Sequence, residues 1–206
     1  MQLYYFPNTI AVAVAIALEE AGLEYEHVRV DFKDAAQTQP PYLDINPKGR
    51  VPSLVVDGQI LTETGAILDY IAAMSPAADL APSDPLEAAH MRAVMYYLAS
   101  TMHINHAHKM RGHRWATQQS SFDDMAAKVP ETMRQSATYV EEHCLRGTFV
   151  LGARISVADA YVFAICNWLE GDGVPIAEFP KIAAFWDAMT ARASVKAVQD
   201  KGLLRL

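Results

Sequence analysis

The hydrophobic pattern of this chain changes its period at one place, residues 75–85, where three prolines and two aspartates fall among small residues. Before this segment, strand-like and helix-like stretches alternate, whereas after it the apolar residues keep helical spacing. Such a change predicts two units of different architecture. We expect an α/β domain at residues 1–77, a linker at 78–86 and an all-helical domain at 87–206.

The α/β part begins with a β-α-β pattern. Residues 2–6 and 25–30 favour strands, and the apolar run between them, residues 10–21, predicts a buried helix that ends before Gly22. Asn8 or Thr9 would cap this helix. Because a helix joins the two strands, they should be parallel.

A hairpin and a helix complete the predicted α/β part. Asp57 and Gly58 separate two strand-like runs, residues 53–56 and 59–61, and suit a two-residue hairpin turn. A helix is predicted over residues 63–74.

Composition excludes several classes of protein. The 206 residues carry 17 Lys plus Arg against 24 Asp plus Glu, a net charge of −7, which disfavours a general nucleic-acid or membrane-surface binder. The longest apolar run, Ile10 to Leu18, is too short to cross a bilayer and lacks the flanks of a secretory signal. Two distant cysteines, Cys144 and Cys166, favour a reducing compartment and buried packing roles. We expect a cytoplasmic protein.

The loop N-P-K-G-R-V-P-S-L at residues 46–54 is the most informative motif. Pro52 precedes a predicted strand, and a cis bond before it would turn the backbone groups of Val51 outward. An extended peptide could then pair with Val51 as an added strand does. From the motif alone, an ordinary strand entry is the alternative.

A carboxylate and a hydroxyl, Glu63 and Thr64, begin the helix that follows the hairpin. With free backbone N–H groups, they could hold the ammonium and carboxylate of one amino acid. The alternative is simple capping, with Thr62 or Thr64 as the cap and Glu63 favoured by the helix dipole.

Together these segments resemble the glutathione S-transferase family. A further segment, G-A-R-I-S-V-A-D at residues 152–159, resembles the helix-start signature of the family's C-terminal domain. There Ser156 would cap a helix, and Asp159 would complete a capping box. The resemblance implies an α/β thioredoxin-like N-terminal domain and an all-α helical C-terminal domain.

By resemblance, glutathione is the co-substrate. Its cysteinyl part would pair with the backbone of Val51 beside cis Pro52, and Glu63 and Thr64 would hold its γ-glutamyl end.

The glycyl end of glutathione needs positive charge. Lys48 and Arg50 are the candidates in the loop, with Lys33 as a third.

The catalytic position departs from the family pattern. Relatives place Tyr, Ser or Cys near the first strand's end or the first helix's start, but the Cys-Ser pair of bacterial relatives falls on Ile10 and Ala11. Thr9, Asn8 and Tyr5 remain as candidates, because donors at a helix N-terminus lower the pKa of a thiol from about 8.5. The alternative is that Thr9 and Asn8 only cap the helix.

Four histidines lie close together at positions 103, 106, 108 and 113. On one helix, His103 and His106 share a face with Met110 and His113, while His108 points elsewhere. No nearby carboxylate or thiolate completes a ligand set, so no metal is expected.

We expect Ile10, His103 and His106 to line the pocket of the second substrate, between the first helix and residues 95–111. Arg111 and Arg114 are predicted to be surface or interface groups, with substrate contact as the less favoured alternative. Six aromatic residues at helical spacing are predicted to be core: Tyr96, Tyr97, Phe163, Trp168, Phe185 and Trp186.

The resemblance implies a homodimeric glutathione transferase of detoxification type, which joins the glutathione thiolate to a small, hydrophobic electrophile. One alternative is a protein that binds glutathione or a conjugate without turnover. Another is glutathione-dependent reduction, isomerisation or dehalogenation. Reduction through a protein thiol is disfavoured, because no cysteine occurs before Cys144.

Overall fold

The computed structural model describes residues 1–206. Its N-terminal part contains one four-stranded sheet, whose strands are β1 (Gln2–Tyr5), β2 (Glu26–Arg29), β3 (Ser53–Val56) and β4 (Gln59–Thr62). The strands lie in the order β2-β1-β3-β4. β1 and β2 are parallel, whereas β1–β3 and β3–β4 are antiparallel. The predicted β-α-β unit and closing hairpin are confirmed.

The helices are α1 (Ala11–Glu20), α2 (Tyr42–Ile45), α3 (Thr64–Met74), α4 (Pro85–Tyr97), α5 (His103–Arg111), α6 (Gln119–Tyr139), α7 (Val157–Cys166), α8 (Pro180–Thr190) and α9 (Ala193–Asp200). The first three belong with the sheet, and α4 to α9 form a part without strands. α4 begins inside the segment predicted as a linker. A π-helical turn, Leu98–Met102, joins α4 to α5.

The hairpin turn shows why its sequence is Asp-Gly. Asp57 and Gly58 both have positive φ, 49° and 78°, as a tight two-residue turn between twisted strands requires. This turn fixes the register of β3 and β4, and thereby the direction in which α3 starts.

Helix α1 lies at the centre of the molecule. Its residues from Ala11 to Leu18 are at most 2% exposed, since the helix packs on the sheet and on α3, α7 and α9. A helix that is apolar on all sides is stable only when it is covered on all sides. The start of α1 is therefore held firmly where the two parts meet.

The predicted capping box of α7 is confirmed. Asp159 accepts hydrogen bonds from the backbone N–H and the hydroxyl of Ser156, at 2.7 and 2.8 Å, and from the backbone N–H of Val150 at 2.8 Å. Burial raises the pKa of Asp159 to about 6.

Both cysteines are buried, as predicted. Burial raises the pKa of Cys144 to about 11 and that of Cys166 to about 12, which makes both poor nucleophiles. No helix is both long and apolar enough to cross a bilayer.

Candidate functional site

A cleft of about 1000 Å³ lies between the start of α1, the loop before β3, and α5. The predicted site residues that line it are Asn8, Thr9, Ile10, Lys48, Arg50, Val51, His103 and His106. Pro52, Glu63 and Thr64 do not line it: Pro52 follows Val51, and Glu63, which precedes Thr64 at the start of α3, contacts Lys48. The structure therefore brings together segments that are up to 98 residues apart, as Asn8 and His106 show.

The loop before β3 presents an unpaired backbone edge. The Val51–Pro52 peptide bond is cis, and neither backbone group of Val51 has a hydrogen-bond partner. The hydroxyl of Tyr42 and the side-chain amide of Asn46 donate to the carbonyl of Arg50, at 2.6 and 2.7 Å. These two buried side chains fix the loop and leave Val51 free to pair with an extended ligand.

Glu63 and Lys48 form an ion pair at the end of this edge. The Lys48 ammonium lies 2.6 Å from Oε1 of Glu63 and 2.8 Å from the hydroxyl of Thr62. Glu63 has a positive φ of 69°, and neither it nor Thr64 makes a side-chain capping bond to α3. Simple capping does not account for these residues.

The ion pair changes the expected role of Lys48. Lys48 lies beside Glu63, the residue predicted to hold the γ-glutamyl end. Arg50 lines the cleft further along, whereas Lys33 does not line it. Arg50 is therefore the remaining basic candidate for a glycyl carboxylate.

The first turn of α1 carries a free donor. The hydroxyl of Thr9 donates to the carbonyl of Phe6 at 2.7 Å and accepts a long bond, 3.4 Å, from the N–H of Ala11. The backbone N–H of Ile10 has no acceptor. It lies at the positive end of the α1 dipole, where an anion is stabilised.

Asn8 does not cap α1, which corrects that expectation. It has a positive φ of 57°, and its side-chain oxygen accepts from the backbone N–H of Arg205 at 2.7 Å. Its carbonyl accepts from the indole of Trp168 at 2.9 Å. Asn8 thus ties the wall of the cleft to the C-terminal segment, a contact that sequence spacing does not indicate.

Tyr5 lies outside the cleft. Its side chain is part of the core, 7% exposed, and its ring centre is 5.7 Å from that of His27. We therefore remove Tyr5 from the candidates for contact with a thiol.

His106 and Lys109 both contact a buried carboxylate, Asp172. Nδ1 of His106 lies 2.6 Å from Oδ2 of Asp172, whose other oxygen is 3.3 Å from the ammonium of Lys109. Lys109 also donates to the carbonyl of Gly171. Because Asp172 accepts from Nδ1, the Nε2 atom of His106 is left as the group that can exchange a proton.

Trp168 supports this arrangement, although it was predicted to be core. Its ring stacks on His106 with centres 4.2 Å apart, and it lines the cleft. The core prediction was wrong for Tyr96, which is 65% exposed, whereas Phe163 and Phe185 are fully buried and Trp168 packs against the core as well as lining the cleft. Helical spacing shows which side chains share a face, not what covers that face.

His103 and His108 lie on different faces of α5, as predicted. His103 lines the cleft, whereas His108 contacts the edge of Trp115 with ring centres 4.6 Å apart. Burial, together with the charges of His106, Arg111, Arg114 and Arg50, lowers the pKa of His103 to about 3. His103 is therefore a neutral side chain. The structure contains no cluster of three His, Cys, Asp or Glu that could hold a metal.

Three arginines line the cleft, and of the two that were predicted to be surface or interface groups, Arg114 is exposed and Arg111 is half-buried. Arg50, Arg111 and Arg114 all contribute to its wall, and no aspartate or glutamate does. None of the three forms an ion pair. The cleft of this acidic protein therefore has a positively charged lining.

Comparison with known proteins agrees with the fold. Residues 1–73 match the profile of the glutathione S-transferase N-terminal domain, and residues 106–201 match that of its C-terminal domain. Glutathione S-transferase GST-4.5 of Xanthomonas campestris pv. campestris is 30% identical over 98% of this chain and 100% of that protein. A maleylacetoacetate isomerase of Pseudomonas aeruginosa is 29% identical over 95% of this chain and 94% of that one.

A solved structure is more similar still. It is a glutathione transferase homolog from Sulfitobacter with bound glutathione, 64% identical, with a TM-score of 0.97 over 98% of each chain. An α/β domain with a four-stranded mixed sheet followed by a helical domain is the fold that the resemblance implied. This chain belongs to the glutathione S-transferase family.

Proposed function

We propose that the protein binds glutathione in this cleft and transfers its thiolate to a small electrophile. The observation that carries the proposal is the free backbone edge of Val51 beside cis Pro52, in the same cleft as the start of α1. Family membership and the similar glutathione-bound structure support glutathione as co-substrate.

Glutathione would lie along the loop before β3 in extended form. Glu63 would bind the ammonium of its γ-glutamyl end, and Thr64 and Lys48 its carboxylate. The cysteinyl amide would pair with the backbone of Val51, and Arg50 would hold the glycyl carboxylate.

The thiol would then reach the first turn of α1. There the unpaired N–H of Ile10 would stabilise the thiolate, with the Thr9 hydroxyl as a second donor once it turns away from Phe6. Nε2 of His106 would accept the thiol proton, since Asp172 holds the ring through Nδ1. The electrophile would approach from the α5 side of the cleft, next to Ile10, so that both reactants share one site.

Isomerisation is the second candidate, because a relative that is 29% identical is named maleylacetoacetate isomerase. An isomerase would return free glutathione, whereas a transferase would leave a stable thioether, so mass analysis of the products separates the two reactions. A binding protein without turnover would leave both substrates unchanged.

Calorimetric titration with glutathione tests the site. We expect one binding site per chain, and Glu63→Ala should weaken binding at least tenfold, equal to about 1.4 kcal/mol. Glu142→Ala is the matched control, because Glu142 is an exposed glutamate outside the cleft. Absence of binding at millimolar glutathione would refute the proposed function.

We also propose that the protein is a homodimer. Three large apolar side chains are exposed on or at the ends of neighbouring helices: Met74 (50%), Leu86 (80%) and Tyr96 (65%). Sedimentation at micromolar concentration should give twice the mass of one chain, and a monomer would contradict the proposal.

A further inference from the structure

The part of the cleft that glutathione does not fill carries its own positive charge. Lys48 is neutralised by Glu63, and Arg50 is assigned to the glycyl carboxylate under the proposed function. Arg111 and Arg114 remain, on the opposite wall at the end of α5. The one carboxylate buried behind this wall, Asp172, is already engaged by His106 and Lys109.

The guanidinium groups of Arg111 and Arg114 are partly removed from water and lie near the charge of Arg50. Burial and the charge of Arg50 lower the pKa of Arg111, and burial and the charges of Arg111 and Arg50 lower that of Arg114 to about 10. Since both side chains stay protonated at neutral pH, they carry a charge that a bound anion would relieve.

The turn that holds the arginines is rigid. A Cβ atom at Gly112 would lie 2.9 Å from the ring of Phe122, so only glycine lets α6 pack this closely against the turn. The N–H groups of Trp115 and Ala116 donate to the carbonyl of Gly112 at 2.9 and 3.0 Å. This packing fixes the backbone positions from which the two arginine side chains extend into the cleft.

Apolar side chains without a cover lie beside the arginines. Met110 is 77% exposed and Trp115 is 45% exposed, and both line the cleft. Ile104 also lines the cleft, as does the buried Ile10 at the start of α1. Large exposed apolar side chains within a concave site are typical of a binding surface for an apolar group.

We propose that the second substrate is an organic anion, an electrophile with an apolar body and a carboxylate that binds Arg111 and Arg114. This inference rests on the proposed function and narrows its substrate class. Guanidinium groups bind carboxylates through paired hydrogen bonds. The carboxylate would orient the apolar body along Met110 and Trp115, with the reacting carbon toward Ile10.

A matched pair of electrophiles tests the proposal: ethacrynate, an aryl enone with a remote oxyacetate group, and its methyl ester. In both, the thiolate adds to the terminal alkene carbon, a C–S bond replaces the C=C π bond, and the resulting enolate takes up a proton. The carboxylate is far from the reacting carbon. The kcat/KM value of each compound is divided by the rate constant of its uncatalysed reaction with glutathione. Any remaining preference between the two compounds then reports on how the protein binds the carboxylate.

We expect kcat/KM to favour the acid over the ester at least tenfold at low salt. Arg111→Gln and Arg114→Gln should each lower this preference at least fivefold, and the double variant should abolish it. Arg146→Gln removes the same charge from an exposed site outside the cleft and should preserve the preference. Added salt should weaken the preference, since it screens exposed charges.

Equal kcat/KM for acid and ester in the unsubstituted protein would overturn the inference. An equal loss of the acid preference in Arg146→Gln would also overturn it, because the preference would then arise from the electrostatic field of the whole protein and not from Arg111 and Arg114. If the Arg111 and Arg114 variants weaken glutathione binding tenfold but keep the preference, these arginines serve glutathione and the inference fails.

A binding measurement keeps this inference separate from the proposed function. The saturated, unreactive analogues of the acid and the ester can be titrated calorimetrically with or without S-methylglutathione. The anion site would be supported, even without turnover, if the acid binds more tightly than the ester and if Arg111→Gln and Arg114→Gln remove this difference. Equal binding of acid and ester would refute it.

Discussion

Nδ1 of His106 lies 2.6 Å from Oδ2 of Asp172, a carboxylate whose side chain is 1% exposed. The two residues are 66 positions apart in the chain, and the imidazole also stacks on Trp168. The contact fixes the plane of the ring and the nitrogen that carries its proton. The catalytic proposal depends on this orientation.

Asp172→Asn should therefore lower kcat for conjugation about tenfold, equal to about 1.4 kcal/mol, while the Kd for glutathione changes less than threefold. The amide cannot balance the charge that forms on His106 when the ring takes up a proton. Rate measurements at saturating glutathione, together with calorimetry, separate the two effects. An exposed control, Asp187→Asn, should leave both quantities unchanged.

If kcat and glutathione affinity fall together in Asp172→Asn, the carboxylate supports the wall of the cleft and does not position the imidazole. Urea unfolding of the same variant shows whether that wall has been weakened.

Thr9→Val tests the hydroxyl in the first turn of α1. If the hydroxyl turns from the carbonyl of Phe6 toward the thiolate, the variant should raise the pKa of bound glutathione. The fraction of bound glutathione present as thiolate should then be lower at neutral pH, and kcat should fall about fivefold. The thiolate fraction is measured by its ultraviolet absorbance as a function of pH. Thr9→Ser keeps the hydroxyl and is the matched control.

A Thr9→Ala or Thr9→Val protein with the full thiolate fraction and an unchanged rate would assign stabilisation to the N–H of Ile10 alone. Without measurable turnover in any of these proteins, the binding-protein alternative would be favoured.

His103 should make the protein less stable in acid. Its pKa is about 3 when folded, against an ordinary value near 6.5, so the unfolded chain takes up a proton that the folded protein refuses. The free energy of unfolding therefore has its full value, as far as His103 is concerned, above pH 6.5. It falls progressively as the pH drops from 6.5 toward 3, because protonation of His103 favours the unfolded chain.

Between about pH 7.5 and pH 5, the free energy of unfolding should therefore fall by about 2 kcal/mol more in the unsubstituted protein than in His103→Gln. Urea denaturation at both pH values measures the difference. His143→Gln, at an exposed histidine, should behave as the unsubstituted protein does. If the free energy of unfolding falls by the same amount in His103→Gln as in the unsubstituted protein, the pKa of His103 is not lowered by the fold.

Asp159→Ala should destabilise the fold by about 2–4 kcal/mol. It removes the acceptor of Ser156 and Val150 and leaves two buried N–H groups unsatisfied. Urea unfolding should show the loss, and Asp187→Ala, at an exposed aspartate, should change the free energy of unfolding by less than about 0.5 kcal/mol. A mild effect at Asp159 would mean that relief of the buried charge offsets the lost hydrogen bonds.

The elements of this fold could be predicted because their signals are local. The alternation at residues 25–30, the Asp57-Gly58 turn and the Ser156–Asp159 capping box each depend on residues within a few positions of one another. These features could be read from the sequence with little error. The Val51 edge could be inferred only by combining this loop with the start of α3 and the family resemblance, because the motif alone also fits an ordinary strand entry.

The site could be predicted only in part. The loop and the start of α1 carry recognisable motifs, but nothing near His106 indicates Asp172, and nothing near Asn8 indicates Arg205. Arg111 and Arg114 show the same limit. A basic residue at a helix end is normally solvated, and its place in the cleft depends on where α5 packs.

The sequence by itself therefore determined the order of elements, the two-part architecture and the glutathione-type loop, since periodicity, turn chemistry and capping act over short distances. Only the tertiary structure decided which charged side chains face the cleft and which carboxylate forms a hydrogen bond with His106. Those relations arise when distant segments pack together, and packing depends on the whole set of buried side chains and not on any one motif.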